Sequence, residues 1–86
     1  MKKFVSLSGK PMINIDQIHY ITKQERYTET TDGVRRYTFS IKFTFADNRT
    51  TAWDYLAEGP IAALKAEDDR DHDYGILDAA LNILFL

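Results

Sequence analysis

Apolar and polar positions alternate without a break from Tyr37 to Phe45. Tyr37, Phe39, Ile41, Phe43 and Phe45 take the odd places, with Thr38, Ser40, Lys42 and Thr44 between them. Successive side chains of a strand point to opposite faces, so this run predicts a long strand with one buried and one wet face. Phe4 to Leu7 reads as an earlier strand, followed by a turn at Ser8-Gly9-Lys10-Pro11. A second strand starts near Met12, with Ile13 and Ile15 on one parity and Ile18, Tyr20 and Thr22 on the other. The phase slip at Asp16-Gln17 predicts a bulge or short turn.

Asp32-Gly33 is the strongest turn signal, because a type I′ hairpin needs positive φ at both central positions. With those two residues as the loop, Glu29 faces Arg36, Thr22 faces Phe43 and Tyr20 faces Phe45. This register puts Ile18, Tyr20 and Thr22 on the face of Ile41, Phe43 and Phe45. It also sets Lys23 opposite Lys42, tolerable where both point to water. Asp47-Asn48 makes the next turn, and Arg49 to Trp53 the fourth strand. The hairpin tip, from Arg26 to Arg36, is expected to project beyond its neighbours.

Gly59-Pro60 changes the rhythm. Proline is well tolerated at the first helical position, and Ile61-Ala62-Ala63-Leu64-Lys65-Ala66 favours a helix. Glu67 to Asp73 reads as a charged loop, and Ile76 to Leu86 as a second helix with Asp73 as N-cap. Asp78 and Asn82, four apart, share one face of that helix, and the rest is apolar. One sheet face does not readily cover so much surface, which suggests a homodimer or partner interface at Leu77, Leu81, Leu84 and Phe85. The expected fold is α+β in a single domain, residues 1–86. A four-stranded antiparallel β-meander with a long central hairpin (1–53) carries two C-terminal helices on one face (54–86).

The composition, 44% hydrophobic and 28% charged, fits a globular domain and excludes disorder along the whole chain. A chain this short buries about 60–65% of the surface its unfolded form exposes. The absence of cysteine excludes disulfides, thiolate metal sites and cysteine nucleophiles, and is compatible with a reducing compartment. The basic start at Met1-Lys2-Lys3 meets polar residues too soon to be a signal peptide, and Ile76 to Leu86 is too short to span a bilayer. A soluble, cytoplasmic protein without membrane contact is expected.

The net charge of −2 conceals a polarity. Basic residues outnumber acidic ones five to two in residues 1–26 and four to three in 27–50, but two face eight in 51–86. A basic-leaning sheet would therefore meet an acidic C-terminal third, as intramolecular complementarity on a solvated surface.

Two stretches carry a family resemblance. The first is Phe4-Val5-Ser6-Leu7-Ser8-Gly9-Lys10-Pro11 followed by Ile13-Asn14-Ile15-Asp16-Gln17-Ile18-His19-Tyr20-Ile21; the second is Phe45-Ala46-Asp47-Asn48-Arg49-Thr50-Thr51. Over residues 4–66 the chain resembles flagellar FlbD-like proteins and LytTR-type DNA-binding domains. The likeness implies a small regulatory or accessory module of bacterial or phage origin, and carries over no functional residue. The chain departs from both families in the tip from Arg26 to Arg36 and beyond Glu67. Its second half is acidic, where a LytTR domain is expected to be basic.

Asp69-Arg70-Asp71-His72-Asp73-Tyr74-Gly75 invites a calcium reading, but an EF-hand loop needs Gly at its sixth place and Glu at its twelfth. Tyr74 and Ala80 stand there. An ion held by Asp69, Asp71, His72 and Asp73 is therefore weaker than a solvated acidic loop, with Asp68, Asp69, Asp71 and Asp73 open to a partner. His19 lies on a strand opposite in parity to Ile18 and Tyr20, as an exposed or structural imidazole. None of Ser6, Ser8 and Ser40 stands on a nucleophile elbow. The carboxylates after Asp54 are crowded surface acids, so neither enzyme, metal nor cofactor is expected. Trp53 and Tyr55, flanking Asp54, read as a seam between sheet and helices rather than a ligand cage.

Arg26, Tyr27, Arg35, Arg36 and Tyr37 cluster at the hairpin tip, where a basic, aromatic ribbon could enter a groove or stack on bases. Glu25, Glu29 and Asp32 dilute that field, and the pI near 5.6 is far from the usual nucleic-acid footprint. The structural alternative is an exposed hairpin whose opposite charges face one another across the strands. The preferred function is a non-enzymatic protein-interaction module, a small regulator or inhibitor working through the hairpin, the acidic loop or the last helix. The alternative is a nucleic-acid-binding module using the same hairpin. The acidic tail could also mimic a polyanion.

Overall fold

The alternating run from Tyr37 to Phe45 lies in the central strand of the sheet in the computed structural model, which describes residues 3–30 and 32–86. The reading of Met1 and Lys2 as a basic start, and Thr31 in the hairpin tip, lie outside the described residues. Seven elements follow in chain order: β1 (Phe4–Val5), β2 (Ile13–Asn14), β3 (Ile18–Glu29), β4 (Arg35–Phe45), β5 (Thr50–Glu58), α1 (Gly59–Ala80) and β6 (Leu84–Phe85). A 3-10 turn at Ile15–Gln17 separates β2 from β3, where the phase slip is read.

The fold is α+β, with a mixed sheet and one main helix. Strands β5, β4 and β3 are antiparallel neighbours, and β6 joins β3 as a parallel edge. Several expectations are corrected here. The first strand is not part of the main sheet, because β1 pairs with β2 in a separate two-stranded sheet. The fourth strand of the main sheet is instead the last one, drawn from the segment expected to be a second helix. Helix α1 absorbs Glu67 to Asp73, so the expected acidic loop is helix interior and Asp73 is not an N-cap. Strand β5 runs five residues past Trp53, to Glu58.

The register also differs. Thr30 N–H bonds Val34 O at 2.9 Å and Gly33 N–H bonds Thr30 O at 3.0 Å, with Gly33 at φ 81°. The loop therefore spans the three residues between Thr30 and Val34, one more than a type I′ turn provides. That extra residue shifts every pair by one: Glu29 faces Arg35, Thr22 faces Lys42 and Tyr20 faces Thr44. The core face of β3 is thus carried by Ile21, with Ile18 returned to it opposite Phe45 by a bulge at His19. Lys23 faces Ile41, not Lys42. The turn at Asp47-Asn48 repeats the same device. Asn48 at φ 70° stands where Gly33 does, and the Asp47 carboxylate accepts Arg49 N–H as Asp32 accepts that of Val34.

One face of the sheet holds the core. Phe39, Ile41, Phe43, Trp53 and Tyr55 point to it, and α1 lies across β4 and β5. The helix presents Ala63, Ala66, Arg70, Asp73 and Leu77, spaced three and four apart and all buried. The β1–β2 hairpin closes the other end of this face, where the Trp53 indole N–H donates to Pro11 O at 2.8 Å. Tyr55 thus joins the sheet to the helix through Asp73, as the seam reading expects, while Trp53 is bonded to the hairpin.

Candidate binding surface on the open face of the sheet

The opposite face carries the even positions of the three long strands. Ladder pairing sets them in rows: Tyr20-Thr44-Thr50, Thr22-Lys42-Ala52, Gln24-Ser40-Asp54, Arg26-Thr38-Leu56 and Thr28-Arg36-Glu58. The central column is short at Thr38 and Ser40, while longer side chains stand at either side. Wet strands normally mix hydroxyls and charges in this way, so the alternation alone explains the polarity of the face.

A shallow groove of about 650 Å³ opens at the end of this face nearest the hairpin tip, rimmed by Arg26, Thr28, Arg36, Leu56 and Glu58. A smaller hollow of about 230 Å³ continues it over Ser40, between Gln24 and Asp54. Ser40 donates to the Asp54 carboxylate at 2.7 Å. Arg36 pairs with Glu58 at 3.0 Å, whereas among the described residues Arg26 and Lys42 have no carboxylate partner. Leu56 is 74% exposed on this rim, a large apolar side chain on an otherwise polar face.

The five hairpin residues singled out in the sequence divide between the faces. Arg26 and Arg36 stand on the open face; Tyr27, Arg35 and Tyr37 stand on the helix face. There the Arg35 guanidinium sits 4.6 Å from the Tyr27 ring centre and 2.9 Å from Glu29, whose pairing holds it charged. Tyr37 stacks on Phe39 at 6.1 Å. Strand β5 accompanies β4 as far as Arg36, so only the segment between Glu29 and Arg35 stands beyond its neighbours.

The other expected sites are dispersed. Leu77 is core, Leu84 is 56% exposed, and Leu81 and Phe85 are partly buried, Phe85 edge-on to Tyr74 at 5.2 Å. They belong to a helix end and a strand, not to one helix face. The acidic residues separate in the same way. Asp73 is buried under the Tyr55 hydroxyl at 2.7 Å, Asp71 pairs with Arg70 at 2.9 Å, Asp69 pairs with Lys65 at 2.9 Å, and Asp68 is exposed. Among the described residues no three of His, Cys, Asp and Glu gather as metal ligands. His19 is exposed at the bulge.

Sequence reading missed Arg70 and Asp73 as core residues. Arg70 is only 5% exposed, lies over the Phe39 ring at 5.4 Å and donates to Gln24 O at 2.9 Å. The available signal was the three–four spacing from Ala63 to Leu77, hidden because two of its members are charged. No helix among the described residues is long and apolar enough to cross a membrane. No family model matches the chain, and no curated protein or solved structure matches it.

Proposed function

We propose that the chain is a small non-enzymatic binding module that receives a protein partner on the open sheet face, at the rim formed by Arg26, Arg36, Leu56 and Glu58. The observation that carries this reading is the exposed Leu56 between an arginine without a carboxylate partner and an exposed ion pair. An apolar anchor ringed by charged groups is the usual anatomy of a protein-recognition patch. The hydroxyl groups, imidazoles and carboxylates lie scattered over different faces, which favours binding over catalysis. A regulatory role in the cytoplasm belongs to this proposal and is supported by the amino-acid sequence alone.

A nucleic-acid ligand is the second reading, favoured by Arg26 and Lys42 standing on one face without carboxylate partners. Arg35 and Arg36, the other tip cations, are each paired with a carboxylate, which weakens the field a phosphate backbone would meet.

The test compares wild type with Leu56→Asp and Arg26→Glu, both changes at exposed positions. A specific protein captured by wild type and lost by both variants at unchanged melting temperature is the expected result. Fluorescence anisotropy with random DNA and RNA at two salt concentrations supplies the opposite outcome. Tight binding that collapses at the higher salt would replace the protein partner with a nucleic acid.

A further inference from the structure

The two edges of the sheet are finished differently. In the β3–β4 ladder Thr30 N–H meets Val34 O, so the even positions of β3 turn their backbone groups toward β4 and the odd positions turn theirs outward. Leu86 N–H bonding Ile21 O at 2.9 Å confirms that odd parity. Strand β6 occupies this edge only at Tyr20 and Ile21. Lys23, Glu25, Tyr27 and Glu29 therefore present N–H and C=O groups unpaired among the described residues along an exposed stretch, and Tyr27 is 62% exposed. The β5 edge is guarded instead. The Lys10 ammonium bonds Asp54 O, Pro11 O takes the Trp53 indole, and the strand ends by turning into α1 at Gly59. A long bare edge is a template for another strand unless something blocks it.

We propose that the β3 edge, from Lys23 to Glu29, pairs antiparallel with the same edge of a second copy of this chain, about a two-fold axis at Arg26. In this register Lys23 lies opposite Glu29 of the second copy, Glu25 opposite Tyr27, and every freed backbone group between them finds a partner. The charges argue for a second copy rather than an arbitrary peptide. Within one molecule Arg35 pairs with Glu29 at 2.9 Å, and Lys23 pairs with Asp71 at 3.6 Å, itself bound to Arg70. Pairing joins these into one alternating run across the interface: Arg35, Glu29, then Lys23, Asp71 and Arg70 of the other copy.

Neighbouring registers are disfavoured. Moving the axis to Tyr27 sets Glu25 opposite Glu29, and moving it to Glu25 sets that residue opposite itself while driving Glu29 into the place held by Phe85. Like charges directly opposite destabilise a ladder. The chosen register also brings the two Arg26 side chains together, but on the wet face, where solvent screens them. The body of α1 rests on β4 and β5 and reaches the β3 edge through side chains at its near end, Arg70 to Gln24 O and Asp71 to Lys23, which leaves the backbone from Glu25 to Glu29 open.

Sedimentation equilibrium across a wide concentration range tests the idea. Wild type is expected to associate to a dimer. Tyr27→Pro removes the outward N–H, together with the ring that lies by Arg35, and should weaken the dimer by about tenfold or more. Lys23→Glu should weaken it similarly, and Lys23→Glu with Glu29→Lys should restore it in part, because the exchanged charges attract across the interface while each meets a like charge, Asp71 or Arg35, within its own copy. Circular dichroism at dilution checks that each variant folds. A wild type that stays monomeric, or a dimer indifferent to both Tyr27→Pro and Lys23→Glu, overturns the proposal. A double variant that dimerises no better than Lys23→Glu alone overturns the register.

Discussion

Tyr55 gives its hydroxyl hydrogen to Asp73 at 2.7 Å inside the seam between sheet and helix, and both residues are buried. Burial, followed by the Asp73 hydrogen bond and charge, pushes the Tyr55 phenol far above its ordinary range. In the unfolded chain that phenol ionises near pH 10. The folded state therefore keeps a proton that the unfolded state loses, and the stabilisation, intact below about pH 10, falls as the pH rises further. Thermal melts should show this alkaline decline in wild type and a flatter profile in Tyr55→Phe, which starts from a lower melting temperature because Asp73 loses its donor. Asp73→Ala should cost about 2 kcal/mol by leaving the phenol without an acceptor, and Asp73→Asn less, measured by urea titration. The seam itself is legible from Tyr55, an aromatic on the buried parity. Asp73 is not legible: a carboxylate is expected at a helix start or in water, and only the arrival of Tyr55 from β5 makes its burial tolerable.

Helix α1 shows why the C-terminal third is misread. Its buried stripe consists of two alanines, an arginine, an aspartate and a leucine, so hydrophobic periodicity is nearly absent. The charged run from Glu67 to Asp73 then resembles a loop, although Lys65 and Asp69 support the helix at one-turn spacing. Gly75 looks like a break and is not one. A Cβ built there meets nothing within 4 Å, and the backbone is helical. Gly75→Ala should therefore raise stability by about 0.5–1 kcal/mol in denaturant melts; a helix interrupted at that point would gain nothing. The opposite result belongs to Gly33, whose φ of 81° makes Gly33→Ala destabilising by about 1 kcal/mol despite the open space around it. Turn positions were readable from Gly33 and Asn48, but turn length was not, and one residue of length decides which side of β3 meets the core. The same ambiguity covers Leu84–Phe85, since a short apolar run looks alike as helix or strand.

The whole molecule measures 49 × 24 × 22 Å, and α1 with the β1–β2 hairpin covers one face of its main sheet. The acidic third of the chain thus folds back against its core face, and on the other face the flanking strands are exposed at the rim while Ser40 and Thr44 of the central column are buried. The parity of Thr38, Ser40, Lys42 and Thr44 announces that face in the sequence, yet its rim residues Arg26, Arg36, Leu56 and Glu58 come from three different strands and only pairing brings them together. The junction of β6 with β3 has a consequence in time. The hairpins close over short loops, whereas Leu84 must find Tyr20 across most of the chain, a contact whose loop entropy makes it late to form. Until it does, the β3 edge stays bare over its whole length, including the stretch behind Ile21. A nascent chain would be at its most prone to mispairing in that interval, and truncating residues 84–86 would make the interval permanent.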